Sequence, residues 1–168
     1  MSEQKITPCL WFDMKAEEAV AHYLSIFEDG RVISTSRYGD AGPGPKGAVM
    51  TILFEIEGQR FLALNGGPQF SFTPAISLIV DCETQAEVDR LWDRLGEGGK
   101  PMQCGWIADR FGVTWQIVPS LIPRIMQSRD ADAIARVMRA VMPMTKLDIA
   151  TLQRAFEGRQ TSEGARHE

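Results

Sequence analysis

Histidine and cysteine, the side chains that most often bind transition metals or act as nucleophiles, are scarce in this chain. Its 168 residues include two histidines, His22 and His167, and three cysteines, Cys9, Cys82 and Cys104. The cysteines form no C-x-x-C pair, and an odd number of them without a secretory signal indicates reduced thiols. Imidazole is a preferred ligand of zinc, nickel and iron. The sequence therefore predicts no metal centre.

A glutamine in an otherwise apolar strand is the strongest candidate for ligand binding. Residues 109–119 read Asp-Arg-Phe-Gly-Val-Thr-Trp-Gln-Ile-Val-Pro, which predicts a tight turn followed by a short strand. Alternation along the strand places Thr114 and Gln116 on one face and Trp115 on the other. Because a buried amide must find hydrogen-bond partners, Gln116 either has a structural partner or points into a cavity and contacts a ligand.

The other residues of catalytic type have structural interpretations. Cys9 and Cys104 lack a neighbouring histidine or basic cluster, so a role as small hydrophobic residues is favoured over a nucleophilic role. Asp109 is expected to fix its turn, and a role as a pocket carboxylate is the alternative. The sequence assigns no catalytic residue.

Two consecutive segments show the same order of predicted elements. The first has a strand at residues 6–13 and an amphipathic helix at 16–27, followed by three strand-like runs. The second begins with a strand at 75–81 and a helix at 85–95, and Thr73-Pro74 echoes Thr7-Pro8 at an offset of 66 residues. Such a repeat predicts two βαβββ units that each expose an apolar face when alone, and hence an α+β fold.

The predicted boundaries divide the chain into four parts. They are a first βαβββ module at 5–66, a second at 73–119, a C-terminal helical extension at 120–157 and a polar tail at 158–168. Helices are expected at 120–127, 131–141 and 146–156, and Thr145 with Asp148 resembles a capping box at the start of the last one.

Four of the predicted strands share an asymmetry between their faces. One face is apolar, while the other carries small or hydrogen-bonding side chains and no charge, which favours a lined cavity over open solvent. The side chains predicted to line this cavity and bind a ligand are Cys9, Trp11, Asn65, Ser77, Thr114 and Gln116. Asn65 and Gln116 would orient a polar group, and Trp11 would stack on a flat apolar part of the ligand.

The plan of two modules resembles the vicinal oxygen chelate superfamily, which includes glyoxalase I, bleomycin-resistance proteins and extradiol dioxygenases. Within it, five segments resemble the PhnB-like family named 3-demethylubiquinone-9 3-methyltransferase. These segments are Ile6-Thr-Pro-Cys-Leu-Trp-Phe, Leu64-Asn-Gly-Gly-Pro, Cys104-Gly-Trp, the stretch 109–119 and Met144-Thr-Lys-Leu-Asp-Ile. The resemblance covers residues 5–157.

This resemblance implies a cupped mixed sheet, C-terminal helices and assembly as a homodimer. Metal enzymes of the superfamily use His and Glu on the inner faces of the strands, whereas the corresponding positions here hold Thr7 or Cys9, Asn65, Ala75 or Ser77, and Gln116. Gln116 occupies a position where a ligand glutamate commonly lies. The resemblance therefore implies the fold without the standard metal centre.

Three functions follow as expectations. The first is a small-molecule binding or catalytic protein without the standard metal centre, and no cofactor is predicted for it. The second is a methyltransferase-like enzyme acting on a quinone-like substrate with S-adenosylmethionine, or a metal-assisted isomerase or dioxygenase. The third is a sequestering protein of the bleomycin-resistance kind. The glycine-rich stretch 39–47 joins two strands and contains prolines, which argues against a nucleotide cradle and favours a mobile loop.

Composition excludes two classes of partner. A net charge of −4 argues against a nucleic-acid surface. No apolar run approaches the roughly 20 residues of a membrane span, and the N-terminus lacks the pattern of a signal peptide. A small-molecule ligand, no nucleic acid, no membrane and a cytoplasmic location are the resulting expectations.

Overall fold

A computed structural model describes residues 4–158 of the chain. The chain divides into two compact units, residues 1–73 and 74–168, and each is described by itself. The polar tail expected at 158–168 lies outside the described residues except for Gly158. None of the helices within 4–158 has the length and apolar character needed to cross a bilayer.

The first unit contains one helix and a four-stranded sheet. Its elements are β1 (Cys9–Phe12), α1 (Ala16–Ile26), β2 (Gly30–Arg37), β3 (Val49–Ile56) and β4 (Gln59–Asn65). The strand order is β1-β4-β3-β2, and the sheet is mixed because β1 runs parallel to β4 while the other neighbours are antiparallel.

The helix α1 covers one face of this sheet and forms the core with it. Its apolar stripe, which includes Val20 and Tyr23, is buried, as are Phe54 of β3 and Phe61 of β4. The rings of Tyr23 and Phe54 stack, and those of Phe54 and Phe61 stack in turn. Aromatic side chains of this size dominate the energetics of a small core, so α1 fixes which face of the sheet stays open.

The second unit repeats this plan and adds helices. Its first elements are β5 (Leu78–Cys82), α2 (Gln85–Gly96), β6 (Lys100–Pro101), β7 (Trp106–Ala108) and β8 (Thr114–Pro119). The strand order is β5-β8-β7-β6, with β5 parallel to β8. The prediction of two βαβββ modules and an α+β fold is confirmed.

The echo between the two Thr-Pro pairs does not mark equivalent positions. The last paired residues are Phe12 in β1 and Cys82 in β5, which lie 70 residues apart in the sequence. The repeat is thus a repeat of sheet register, and the 66-residue echo of Thr7-Pro8 is out of step with it.

The C-terminal extension forms three helices, α3 (Leu121–Met126), α4 (Ala131–Val141) and α5 (Ile149–Glu157). They share a small core, whose buried members are Ile125, Val137, Val141, Leu147 and Leu152. The start expected for α5 at residue 146 is wrong. The helix begins three residues later, because the Asp148 side chain caps it by accepting a hydrogen bond from the backbone N–H of Thr151 at 2.7 Å.

The extension is attached to the second module by α2 and by the turn before β7. The Gln85 amide of α2 accepts from the N–H of Ile149 at 2.8 Å and donates to the carbonyl of Leu147 at 3.2 Å. At the turn, the N–H groups of Cys104 and Gly105 donate to the carbonyls of Met144 and Thr145. These contacts satisfy backbone groups that would otherwise be orphaned.

The Asp109 carboxylate fixes the turn between β7 and β8. Its Oδ1 accepts hydrogen bonds from the N–H groups of Phe111 and Val113, and its Oδ2 accepts one from the indole Nε1 of Trp115 at 2.9 Å. The residue is buried, and Gly112 takes a positive φ of 89° in the turn. Asp109 therefore has the turn-fixing contacts that the sequence favoured for it.

We expect Asp109→Asn to lower the free energy of unfolding by about 2–3 kcal/mol, because an amide N–H₂ would face the indole N–H donor of Trp115. Urea denaturation measures the change. The matched control is Asp40→Asn, whose exposed carboxylate pairs only with Lys46 and is expected to cost under about 0.5 kcal/mol. Equal effects of the two substitutions would contradict this account of the turn.

Candidate functional site

Three of the six predicted site residues meet on the open face of the second sheet. Gln116 of β8 lies between Ile79 of β5 and Trp106 of β7 in the register of the sheet. Its Nε2 donates a 2.7 Å hydrogen bond to the Oγ of Ser77, just before β5. Thr114 shares this face two residues before Gln116, so strand pairing brings these hydroxyl and amide groups together.

Thr114 has a buried hydroxyl without a partner. The residue is 2% exposed, and its Oγ1 makes no hydrogen bond to any residue in the described part of the chain. A buried hydroxyl left unpaired costs about 1–3 kcal/mol. An unpaired polar atom beside the hydrogen-bonded pair of Ser77 and Gln116 is therefore a feature to be explained by something that binds there.

Apolar and charged side chains surround this polar group. Ile79 is 61% exposed and Trp106 is half-buried, so both present apolar surface beside Gln116. Lys100 pairs with Ala108 at the β6 edge of the face, and Asp81 follows Ile79 on β5. Sequence analysis favoured a core position for Trp106, but its pairing with Gln116 places it on the open face.

Cys9 and Trp11 lie on the open face of the first sheet. Strand register pairs them with Leu62 and Leu64 of β4, and the two leucines are half-buried. The Trp11 indole Nε1 donates to the carbonyl of Gly67 at 2.8 Å. Trp11 is therefore held in a fixed position with one side of the ring system available on the sheet.

The same open face carries a charged row that sequence reasoning missed. Arg31, Glu55 and Arg60 are cross-strand neighbours on β2, β3 and β4. The Glu55 carboxylate contacts Arg31 at 2.6 Å and Arg60 at 3.2 Å. Period-two alternation within Thr51–Ile56 places Glu55 on the face opposite α1, and this signal was present in the sequence.

Asn65 lies on the opposite face, against α1. Sequence analysis placed it with the cavity-lining residues, and this face assignment is wrong. Asn65 pairs with Phe12 and is 1% exposed. Its Oδ1 accepts from the N–H of Ala16 at 2.8 Å, and its Nδ2 donates to Glu17 and to the carbonyl of Val49. The amide caps the start of α1, so its contacts within the protein differ from those of Ser77, Thr114 and Gln116.

The donor set does not fit a transition metal. Among residues 4–158 there is no group of three or more His, Cys, Asp or Glu side chains placed to hold a metal ion. The register positions at the centre of the two open faces hold Cys9 opposite Leu62 and Ile79 opposite Gln116. One neutral amide oxygen and one thiol, on separate sheets, are a poor match for the ligand preferences of these ions.

The glycine-rich segment 39–47 does not form a nucleotide cradle. It joins β2 to β3, and a Cβ on Gly42 or Gly44 would collide with the ring of Tyr38. Tyr38 is buried, and its hydroxyl donates to the carbonyl of Asn65. These glycines make room for the Tyr38 ring. Strand-to-helix turns that bind nucleotide cofactors place glycines beside the cofactor instead.

The environments of two cysteines disfavour thiolate chemistry. Partial burial raises the pKa of the Cys9 thiol. Burial, together with the nearby carboxylates of Glu87 and Asp81, raises the pKa of Cys82 to about 12. A nucleophilic cysteine needs a lowered pKa, so both thiols remain protonated at neutral pH.

Comparison with known proteins identifies relatives of both modules. The family model described as 3-demethylubiquinone-9 3-methyltransferase matches residues 4–118. A solved PhnB protein from Bacillus cereus, which bears the same description, is 38% identical. The match covers 70% of this chain and 100% of that chain, with a TM-score of 0.64. No match was found among the curated proteins.

A second solved structure supports the fold. Protein PA1353 from Pseudomonas aeruginosa is 23% identical and has a TM-score of 0.58. The match covers 70% of this chain and 98% of that chain. At this identity the likeness concerns the fold alone. The matched family region ends at residue 118, so the helices α3, α4 and α5 lie beyond it.

We expect Asn65→Leu to lower the free energy of unfolding by about 2–4 kcal/mol, because it removes the partner of the Ala16 N–H and of the Val49 carbonyl at once. Urea denaturation measures the loss. Gln59→Leu is the control, since the exposed Gln59 amide bonds only to the carbonyl of Arg60. A stability close to that of the unmodified protein would show that the Asn65 amide is not structural.

Alkylation by iodoacetamide tests the state of the thiols. Since the pKa of Cys9 is raised, its thiolate fraction is small at neutral pH, and we expect its alkylation rate to climb steadily as the pH rises from about 7 to 9. Mass spectrometry of the peptides assigns the modified residue, and Cys9→Ala removes its signal. Rapid alkylation of Cys9 at about pH 6 would reveal a stabilised thiolate and contradict this account.

Proposed function

Since the chain belongs to the 3-demethylubiquinone-9 3-methyltransferase family, we propose that it binds a small molecule on the open face of its second sheet, without a transition metal. The ligand is a flat ring that carries hydrogen-bonding oxygen substituents. The observation that carries this proposal is the joint position of Ser77, Thr114 and Gln116, where an unpaired buried hydroxyl adjoins a hydrogen-bonded amide.

The polar groups on this face can orient a ligand. Gln116 uses its Nε2 on Ser77, and within the described residues its Oε1 accepts no hydrogen bond. The Ser77 hydroxyl accepts from Gln116 and keeps its own proton to donate. One acceptor and one or more donors, set a few ångströms apart, suit a ligand with adjacent hydroxyl and carbonyl groups.

Apolar surface for the rest of the ligand lies beside these groups. Trp106 and Ile79 flank Gln116 on either side across the sheet. Binding sites for small molecules combine a mostly apolar surface with a few placed polar groups. On the first sheet, Cys9 and Trp11 offer a second surface of this kind, with the leucines of β4 beside them.

The second candidate function is the methyl transfer named in the family description. A methyltransferase must hold a methyl donor and, for an oxygen acceptor, a base that removes the acceptor proton. The glycines of segment 39–47 are filled by Tyr38, and the side chains of Ser77, Thr114 and Gln116 have no basic group. Binding is therefore better supported than proton transfer at this face.

The probe for the proposed function is 2′-hydroxyacetophenone, a flat ring with a hydroxyl next to a carbonyl and no reactive alkene. We expect it to shift the amide signals of Thr114 and Gln116 and the indole signal of Trp106 in ¹⁵N-edited NMR spectra. Gln116→Leu removes the acceptor and is expected to weaken binding about tenfold. Gln103→Leu, at an exposed position outside this face, is the matched control.

Shifts confined to other parts of the chain, or none at all, would contradict the proposed binding face. Calorimetry with S-adenosylmethionine and elemental analysis of the purified protein test the second candidate. Saturable binding of S-adenosylmethionine, or a stoichiometric metal, would favour an enzymatic function.

A further inference from the structure

The Thr114 hydroxyl stands out among the polar groups of the second sheet. Its oxygen is fully buried, no residue within 4–158 bonds to it, and it shares a strand face with Gln116. A valine would fill the same space at lower cost, because threonine and valine differ mainly by replacement of a methyl with this hydroxyl. A partner from outside the chain accounts for the hydroxyl.

The three side chains around this hydroxyl are neutral at every physiological pH. Ser77 and Thr114 each offer a hydroxyl, and Gln116 offers a carbonyl-type oxygen with its N–H₂ turned to Ser77 at 2.7 Å. The hydroxyls can donate to a ligand oxygen, whereas the Gln116 Oε1 can only accept. The ligand group that satisfies all three needs both a donor and an acceptor.

We propose that Ser77, Thr114 and Gln116 form a subsite that selects an uncharged hydroxyl–carbonyl or hydroxyl–amide group and rejects the corresponding anion. This inference rests on the proposed function and specifies the protonation state of the ligand. The ligand hydroxyl donates to Gln116 Oε1, and the ligand carbonyl accepts from Thr114 and Ser77.

The charges around the subsite favour the neutral ligand. An anion would lose the proton that Gln116 Oε1 requires and would place negative charge against that oxygen. Asp81 follows Ile79 on β5 and adds repulsion from one side. Lys100 is the cation on this face, but it lies at β6, two strands from β8 and so roughly 10 Å away across the sheet. At that distance near the surface its attraction is weak.

The experiment compares salicylamide with salicylate, two molecules that share a ring and a hydroxyl and differ in the charge of the adjacent group. Both are titrated into the full chain at pH 7, and NMR shifts at Thr114 and Gln116 report binding. We expect salicylamide to bind at least tenfold more tightly than salicylate. Benzamide, which lacks the hydroxyl, is expected to bind more weakly than salicylamide because Gln116 Oε1 stays unpaired.

Thr114→Val separates a ligand-binding hydroxyl from a structural one. We expect this variant to be at least as stable as the unmodified protein in urea, because it removes an unsatisfied buried group. Its affinity for salicylamide should fall roughly tenfold, the loss of about one buried hydrogen bond. The control is Thr35→Val on the exposed strand β2, which should change neither quantity.

Three outcomes would overturn this inference. They are equal or tighter binding of salicylate, unchanged salicylamide affinity in Thr114→Val, and a marked loss of stability in that variant, which would reveal a structural partner for the hydroxyl. If 2′-hydroxyacetophenone binds the face while salicylate matches salicylamide, the subsite proposal fails and the proposed function stands. If none of the probes reaches Thr114 and Gln116, both fail.

Discussion

The arrangement of the second module depends on the buried carboxylate of Asp109. By accepting two backbone N–H groups and the indole N–H of Trp115, it closes the turn and sets the phase of β8. A shift of one residue in this strand would exchange its two faces. Trp115 would then point to the open face, and Thr114 and Gln116 would point to α2. The single interaction that orients the tryptophan therefore also orients the polar group that is proposed to bind a ligand.

Most of the sequence motifs that carry the family resemblance prove to be pairs that stabilise one another. Trp11 requires Gly66, where any side chain would collide with its ring, and its indole bonds to Gly67. Cys104 and Gly105 hold the chain at Met144 and Thr145. Asp109 accounts for the motif around Trp115. These pairs explain the motifs through folding alone, and they leave Thr114 and Gln116 as polar residues that folding does not require.

The sequence predicted the elements well because periodicity and helix caps act over short distances. It predicted two modules and placed most element boundaries within a few residues. It misplaced Asn65, because alternation divides a strand into two faces without showing which face the helix covers, and the amide caps a helix that begins 49 residues earlier. It placed the start of α5 too early, since a threonine, an aspartate and a lysine in a row offer more than one cap.

The predicted ligand set was recovered in part for the same reason. Ser77, Thr114 and Gln116 come together because two neighbouring strands carry them in matching phase, which the alternation within each strand foreshadowed. The cross-strand row of Arg31, Glu55 and Arg60 needed the register between three strands, which no single strand reveals. The unpaired state of the Thr114 hydroxyl depends on every neighbouring atom and is visible only in three dimensions.

The central claim is that the open face of the second sheet binds a neutral ligand through Thr114 and Gln116. A crystal structure of the full chain with salicylamide is its most direct test. The account predicts a ligand oxygen within hydrogen-bond distance of Thr114 Oγ1 and the ligand hydroxyl bonded to Gln116 Oε1. A ligand bound elsewhere, or a Thr114 hydroxyl paired with a protein atom or a permanent water while the ligand lies apart, would contradict it.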